Sequence, residues 1–524
     1  MDIGHFTRRM YIAPDERLKQ KTAVREESGR SWSFLDLHEK SNTYANQLLK
    51  IGVKKGDSVG ILFSNCLEYF ALYFAIGKVG AIAVRINFRL TANELEYILN
   101  DSKTKVLCFH NEFSEKINPI HEKICTERFI CLSNNGKIPS WADDWNVLSN
   151  GSTEEVDNVP ISINDPVMLM YTSGTTGRPK GALWTHNTTF WFSIIQIMQW
   201  GFTGNEIAMT TGPLYHVGAI EDLALPVLLM GGTVIITKSR GFEIERVLKV
   251  IEKEKVTDCF LFPFMIYDML NLPNLSYYQL AYLKTIYTGG DPLMPWAIEK
   301  IYRHYPQVGI VQVYGLTEGQ PIATSLNSKH SIKKSKTVGT PLPLTEVRVM
   351  KEDGSEALPG EVGEIWIKSP GVSEGYWEKP EATAESFCNG WCKTGDLGKF
   401  DEDGFLSVAG RKKDMIRSGG ENIYAAEIED VLYRHEAVKD VAVIGIPDKK
   451  YIEAVCAVIV LKGDSKILEE ELIQYSKQFL ASYKTPKKVI FVDDIPRTPS
   501  GKVKKFVLRD MYSNCKQEED FYGV

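Results

Sequence analysis

The sequence predicts an α/β protein: a large N-terminal domain of parallel-rich sheets flanked by helices, then a small α+β domain. Three observations carry this reading. Short β-branched runs alternate with longer amphipathic stretches, as parallel sheets covered by helices require. The chain has 524 residues, too many for a single core. Near Gly404–Arg411 the alternation gives way to a compact tail, so the division is expected at residues 1–412 and 413–524.

Taken in order, Asn42–Ile51 reads as a helix, Asp57–Phe63 as a strand, Glu68–Val79 as a helix, and Ala81–Ile86 and Thr104–Phe109 as strands. The apolar run Pro166–Met170 reads as a strand feeding a loop. Thr233–Thr237, Thr257–Phe262, Lys284–Thr288 and Gly309–Tyr314 continue the strand series. The tail offers helix Ala425–Arg434, strands Val438–Gly445 and Glu453–Leu461, helix Glu469–Leu480 and strand Val489–Val492. Its size, about 110 residues, suits an independent α+β lid.

A net charge of −6 gives no reason to expect a nucleic-acid partner. Met1–Phe6 lacks an apolar signal core, and the longest apolar segment, Leu223–Ile236, is short and interrupted by Pro226 and a glycine pair. No transmembrane span is expected, although a transient contact with a membrane surface stays open. The nine cysteines form no C-x-x-C and no metal-ligand spacing; Cys388 and Cys392 are four apart without a second pair. Reduced thiols and a cytoplasmic location are expected.

Five motifs carry chemistry. Tyr171-Thr172-Ser173-Gly174-Thr175-Thr176-Gly177-Arg178-Pro179-Lys180-Gly181 sets glycines among hydroxyls, with two cations behind. Such a loop aims backbone N–H and hydroxyl donors at an anion, and a phosphate is the natural occupant. No Gly-Lys-Ser/Thr follows, so it is not a Walker A loop. Tyr314-Gly315-Leu316-Thr317-Glu318 puts a hydroxyl and a carboxylate at a strand's C-terminal end, where a nucleotide and its Mg²⁺ are met. Alone, Thr-Glu there equally caps a following helix. Trp391-Cys392-Lys393-Thr394-Gly395-Asp396 offers an aspartate, after a glycine turn, to the hydroxyls of a ribose; alone, Thr-Gly-Asp is a common turn. Arg411-Lys412-Lys413-Asp414, beyond an Asp401-Glu402-Asp403-Gly404 hairpin turn, reads as an anion contact or a solvated linker; a further glycine pair follows in Ser418-Gly419-Gly420-Glu421-Asn422. Pro496-Arg497-Thr498-Pro499-Ser500-Gly501-Lys502 places a lysine at the tip of a loop that is rigid, then flexible.

In this order and spacing, the five segments resemble the adenylate-forming superfamily of acyl-CoA synthetases, luciferases and peptide-synthetase adenylation domains. The resemblance spans essentially the whole chain. Within the superfamily the sequence looks most like bacterial fatty-acyl-CoA synthetases, through Tyr483-Lys484-Thr485-Pro486-Lys487 and the Trp377, Pro380, Glu381, Ala382, Thr383 pattern.

The resemblance implies ATP, Mg²⁺ and coenzyme A as cofactors and a small carboxylic acid as substrate. In the superfamily a carboxylate attacks the α-phosphate of ATP, giving acyl-AMP and pyrophosphate. The smaller domain then rotates about a hinge, and CoA thiolate takes the acyl group. Carried onto this sequence, Thr172, Ser173, Gly174, Thr175, Thr176, Gly177 and Lys180 would cradle the β- and γ-phosphates. Thr317 would bind the α-phosphate and Glu318 the Mg²⁺. Asp396 would hold the ribose with Arg411 nearby, and Gly289, Gly290, Asp291 and Tyr314 would flank the adenine. Lys502 would stabilise charge as the acyl–phosphate bond forms, a contribution of about 3 kcal/mol for a preorganised donor. Lys413 matches the hinge, Gly419 and Gly420 the pantetheine tunnel, His216 the gate between acyl pocket and tunnel, and Tyr451 an aromatic platform for the CoA adenine.

The chain departs from the superfamily pattern at Asp291, where a small residue is common, at Ile452, where glycine is usual, and at Trp184, which follows the phosphate loop. Segments 184–192, 216–222, 262–267 and 315–322 are expected to line the acyl pocket. They hold no lysine or arginine, which disfavours dicarboxylic acids, whereas Glu221 and Asp222 keep a cationic, carnitine-type acid in play. The reading is therefore an ATP-dependent acyl-CoA synthetase, with medium- or long-chain fatty acids favoured. Carnitine-type or aromatic acids remain alternatives for the substrate. A stand-alone enzyme loading a carrier protein remains one for the acceptor, although no thiolation module follows before Val524. A non-catalytic nucleotide-binding protein would have been expected to lack Glu318 or Lys502. Monomer and homodimer are both compatible with the sequence.

Overall fold

The computed structural model describes residues 2–172, 178–418, 421–448, 451–463, 465–497 and 503–513. Its N-terminal part holds two parallel-rich sheets. Both sheets have a parallel centre; the nine-stranded sheet is antiparallel at both edges and the seven-stranded sheet at one, Lys180–Thr185. Strands Ser58–Leu62 and Ile82–Arg85 are buried throughout, as expected of strands covered on both faces.

The helix Leu67–Lys78 is buried at every residue. Its sequence is apolar all round, which suits a helix packed on all sides. The two charges at its ends are paired: Glu68 takes bonds from Arg30 at 2.6 and 2.8 Å, and Lys78 donates to Asn42 at 2.5 Å. The helix expected at Asn42–Ile51 is Phe34–Lys50, beginning a full two turns earlier. Its start is set by a capping box, Ser33 with Asp36, a weaker sequence signal than the usual Ser/Thr with Glu/Gln.

A third sheet, five-stranded and antiparallel, was not anticipated. It comprises Glu346–Met350, Gly363–Lys368, Phe387–Cys388, Trp391–Phe400 and Leu406–Arg411. Asp396 therefore lies inside a ten-residue strand, where its pairing with Gly363–Lys368 shifts register, not in a turn. The Asp401–Gly404 hairpin turn is present, with Gly404 at φ 79°.

The C-terminal part has its own five-stranded sheet and two apolar clusters, around Ile428 and Val443 and around Ile444 and Val458. Lys412–Asp414 forms a 3₁₀ turn ahead of this part. Among the described residues two ion pairs join it to the larger part, Arg497 to Asp291 at 3.6 Å and Lys336 to Asp430 at 3.4 Å. Among the described residues no helix is long and apolar enough to cross a membrane, and no disulfide joins any two of the eight described cysteines.

Candidate active site

The candidate residues gather at the C-terminal ends of parallel strands, the side on which open α/β sheets bind ligands. Strand Pro166–Thr172 leads into the glycine-rich loop, and Thr172 pairs with Lys180 across the loop's mouth. Ser173, Gly174, Thr175, Thr176 and Gly177 lie outside the described residues. Strand Thr285–Gly289 runs into Gly290, whose φ of 91° suits glycine, and then Asp291.

Strand Gly309–Leu316 carries Tyr314 and ends at Thr317 and Glu318. No helix follows. The chain reverses into the antiparallel strand Gln320–Leu326, so Glu318 sits in a hairpin turn, which removes the helix-capping alternative. Glu318 is held by two donors: Thr172 Oγ1 at 2.7 Å and the Tyr376 hydroxyl at 3.2 Å, both on Oε1. Burial, then the charge of Glu318, raise the Tyr376 phenol far above its usual range, so it stays a donor. Lys180 Nζ lies 5.2 Å from the Tyr376 ring centroid. The same turn is braced from below, because the buried indole of Trp184 donates to the Thr317 carbonyl at 3.0 Å. Neither Tyr376 nor this bond of Trp184 was foreseen from the sequence.

The second cluster is centred on Asp396, which is almost wholly buried. Tyr314 donates its hydroxyl to Oδ2 at 2.9 Å, and Arg411 Nε lies 3.1 Å from Oδ1. Burial and the Asp396 charge push the Tyr314 phenol well up, which keeps its proton on this bond. Tyr314 and Glu318 stand on one strand and its turn, which links the two clusters through the backbone.

His216 caps the short helix Val217–Ile220: its Nδ1 accepts from Gly218 N at 3.1 Å. That bond leaves Nε2 as the protonated nitrogen of the neutral ring. Its carbonyl accepts from Arg85 Nη2 at 3.0 Å. Arg85 is fully buried and also takes up Glu221, donating from Nη1 at 2.5 and 2.6 Å. The sequence reading that paired Glu221 with Asp222 toward a cationic acid therefore needs correction, since Glu221 is committed to Arg85. An arginine does reach this region, from the strand Ile82–Arg85.

On the smaller part, Arg497 stands at the base of the Lys502 loop, where it bridges to Val503. Lys502 itself is outside the described residues, as are Gly419 and Gly420; Ser418 and Glu421 on either side of the pair are partners in antiparallel strands. Arg497 donates to both oxygens of Asp440, at 2.7 and 2.8 Å, while facing Asp291. The Lys413 carbonyl accepts from Arg509 at 3.3 Å, and Asp414 pairs with the same guanidinium. Tyr451 is half-buried, its N–H donating to Asp448 at 3.0 Å. Ile452 has φ 73° and is 74% exposed. A β-branched residue is strained in that region, which accounts for the glycine expected there.

No group of three or more His, Cys, Asp or Glu side chains that could hold a metal occurs among the described residues. Glu318 alone does fit Mg²⁺, which is commonly bound through one or two carboxylates together with substrate phosphates. Both of its donors converge on Oε1, which leaves Oε2 for a cation.

Residues 13–377 match the AMP-binding enzyme family, and residues 427–502 match the AMP-binding enzyme C-terminal domain. The chain is 37% identical over 488 residues to a feruloyl-CoA synthase of Amycolatopsis sp., covering 93% of this chain and 95% of the relative. It is 35% identical to the long-chain-fatty-acid–CoA ligase FadD13 of Mycobacterium tuberculosis, covering 92% and 93%. The ATP-bound structure of MatB from Rhodopseudomonas palustris superposes with a TM-score of 0.89 at 29% identity, covering 98% and 100%. The chain belongs to the AMP-binding enzyme family, in its branch of acid–thiol ligases, whose cofactors are ATP, Mg²⁺ and CoA.

Proposed function

We propose that the chain is an ATP-dependent acyl-CoA synthetase that adenylates a carboxylic acid and passes the acyl group to CoA. The observation that carries this is the end of strand Gly309–Leu316. There Glu318 is held by Thr172 and Tyr376, and Asp396 is held by Tyr314, on the same strand, and by Arg411. Bound Mg²⁺ would supply charge neutralisation of the phosphates. Glu318 would hold it, and its two donors fix the carboxylate's orientation. Asp396 would accept from the ribose hydroxyls, with Arg411 and Tyr314 keeping it in place. Thr317 would donate to the α-phosphate, and Thr172 and Lys180, with Ser173–Gly177 between, would hold the outer phosphates. Gly289, Gly290 and Asp291 would border the adenine.

Lys502 would enter as the charge stabiliser of the first step, carried in by a lid that spans residues 413–524 and turns at Lys413. Gly419, Gly420, His216 and Tyr451 would serve the CoA step. The acid is one with an apolar body, fatty or aromatic. Phe262 and Phe264, stacked at 6.2 Å, belong to the segments proposed for that pocket. A location in the cytoplasm goes with this reading, no disulfide joining the described cysteines to one another.

The test is a panel of acids of varied length and polarity. Pyrophosphate exchange into ATP is measured without CoA, and AMP release with it. Acid-dependent exchange without CoA, together with CoA-dependent AMP release, is expected. Exchange that strictly requires CoA would overturn the two-step scheme, and release of AMP only with an acyl-carrier protein would replace CoA as the acceptor.

A further inference from the structure

Glu221 and Asp222 are adjacent acids with different surroundings. Glu221 has no exposed surface and is neutralised by Arg85. Asp222 is 7% exposed, and its Oδ1 has no hydrogen-bond partner among the described residues. Gln196, fully buried on the helix His186–Trp200, reaches the residue before Asp222. Its amide donates to the carbonyls of Phe192 at 3.3 Å and Glu221 at 2.7 Å, which leaves Oε1 without a partner among the described residues. One buried neighbourhood thus holds two unfilled acceptors. Such atoms are uncommon in folded proteins and call for an occupant.

The surroundings connect this spot to the proposed reaction centre. Trp184 donates to the Thr317 carbonyl and meets Phe192 edge-on at 5.9 Å. Gln196 follows Phe192 by one helical turn and holds the Glu221 carbonyl. A line of contacts therefore runs from Thr317 through Trp184, Phe192 and Gln196 to the Glu221 carbonyl, one residue before Asp222. Near its far end the chain has a glycine: a Cβ on Gly218 would stand 3.2 Å from His216 Nδ1 and 3.3 Å from Asp222 Oδ2. A side chain there would crowd both groups, so the glycine lets the His216 ring and the Asp222 carboxyl approach the same stretch of backbone.

We propose that Asp222 is a specificity-determining residue that selects carboxylic acids bearing a hydrogen-bond donor, an O–H or N–H group, remote from the reacting carboxylate. This rests on the acyl-CoA synthetase reading. A plain alkyl or aryl tail would leave the acceptors of Asp222 and Gln196 empty, and a buried polar group without a partner is costly. Burial, then the neighbouring charge of Glu221, push Asp222 up to about 8, so the free site is not a permanent anion at neutral pH. An O–H or N–H group can donate to it, whereas a trimethylammonium group has no N–H to give.

The experiment uses the full chain and pyrophosphate exchange. Straight-chain acids from butanoate to decanoate are compared as unsubstituted, ω-hydroxy, ω-amino and ω-trimethylammonio forms, beside phenylpropanoate and its para-hydroxy and para-amino forms. Wild type is expected to favour a donor-bearing acid over its unsubstituted match by about 10- to 100-fold in kcat/KM. Asp222→Leu should abolish or invert that preference. Asp222→Asn should retain it for hydroxy acids and lose it for amino acids. The hydroxy and amino arms distinguish an O–H ligand from an N–H one. Wild-type preference for unsubstituted or trimethylammonio acids at every length overturns the proposal, as does an unchanged ranking in a folded Asp222→Leu. Should that variant not fold, Asp222→Asn and the wild-type ranking decide. Turnover of unsubstituted acids keeps the ligase reading while removing this one; no exchange and no AMP release with any acid removes the ligase reading itself.

Discussion

Asp291→Asn tests how the lid docks for the first half-reaction. Asp291 Oδ2 and Arg497 Nη1 are 3.6 Å apart, with side chains 37% and 26% exposed. At that separation two unit charges attract by about 1 kcal/mol in water and about 4–5 kcal/mol at an effective dielectric of 20. Partial exposure brings the net value to about 0.5–1 kcal/mol. Arg497 keeps Asp440 at 2.7 Å, so the substitution strands no charge and the cost is confined to docking. The docked population should fall about two- to fivefold. Acyl-AMP formation should slow by that factor, while conversion of supplied acyl-AMP to acyl-CoA stays level or quickens. High salt should bring wild type toward the variant. The assay is single-turnover measurement of each half-reaction. Equal losses in both would refute the docking argument. A raised KM for ATP at unchanged kcat would make Asp291 a nucleotide contact instead.

Tyr376→Phe keeps the ring beneath Lys180 but removes one of the two donors to Glu318. The Mg²⁺ concentration for half-maximal rate should rise about two- to tenfold at unchanged KM for the acid; a shifted acid KM with the Mg²⁺ requirement unmoved would contradict it. Glu221→Gln leaves a fully buried arginine without its counter-ion and should destabilise by about 3–5 kcal/mol in urea unfolding, with partial recovery when Arg85→Met is added; a loss under about 1 kcal/mol would show the pair to be solvated. His110 and His186 both accept through Nδ1, from Ser64 N at 3.0 Å and Ile3 N at 3.1 Å, and burial lowers both to about 4 from 6.5. The unfolded chain then binds more protons between pH 6.5 and 4, so stability is full above pH 6.5 and is lost as pH falls toward 4. The double variant His110→Asn, His186→Asn should flatten that slope in urea midpoints taken at stepped pH.

The sheets were legible because fully buried parallel strands announce themselves. Ser58–Leu62 and Thr233–Ile236 are buried at every position, and their apolar, β-branched runs have few other readings. The antiparallel third sheet was not legible. Glu346–Met350 has one buried residue in five, and a half-exposed strand of that kind looks like loop until its partners are known. Asp396 was found by its motif but misplaced, because a register shift inside a strand and a turn share the same local sequence, Thr-Gly-Asp.

Long-range partners set the limit of the sequence reading. Glu318 was identified, yet one of the groups that orient it, Tyr376, lies 58 residues away, and the bond that braces the turn comes from Trp184, 133 residues from Thr317. Glu221 and Asp222 make the same point more sharply. As a sequence they are two carboxylates one residue apart, and nothing local ranks them. Arg85, 136 residues earlier, settles Glu221 by meeting it inside the protein. With that charge spent, Asp222 is left as the acid whose oxygen has no partner among the described residues. A pair that reads as a double anion for a cationic substrate thereby becomes one structural ion pair and one recognition group. The chemistry expected of the substrate changes with it, from a permanent cation to a hydrogen-bond donor.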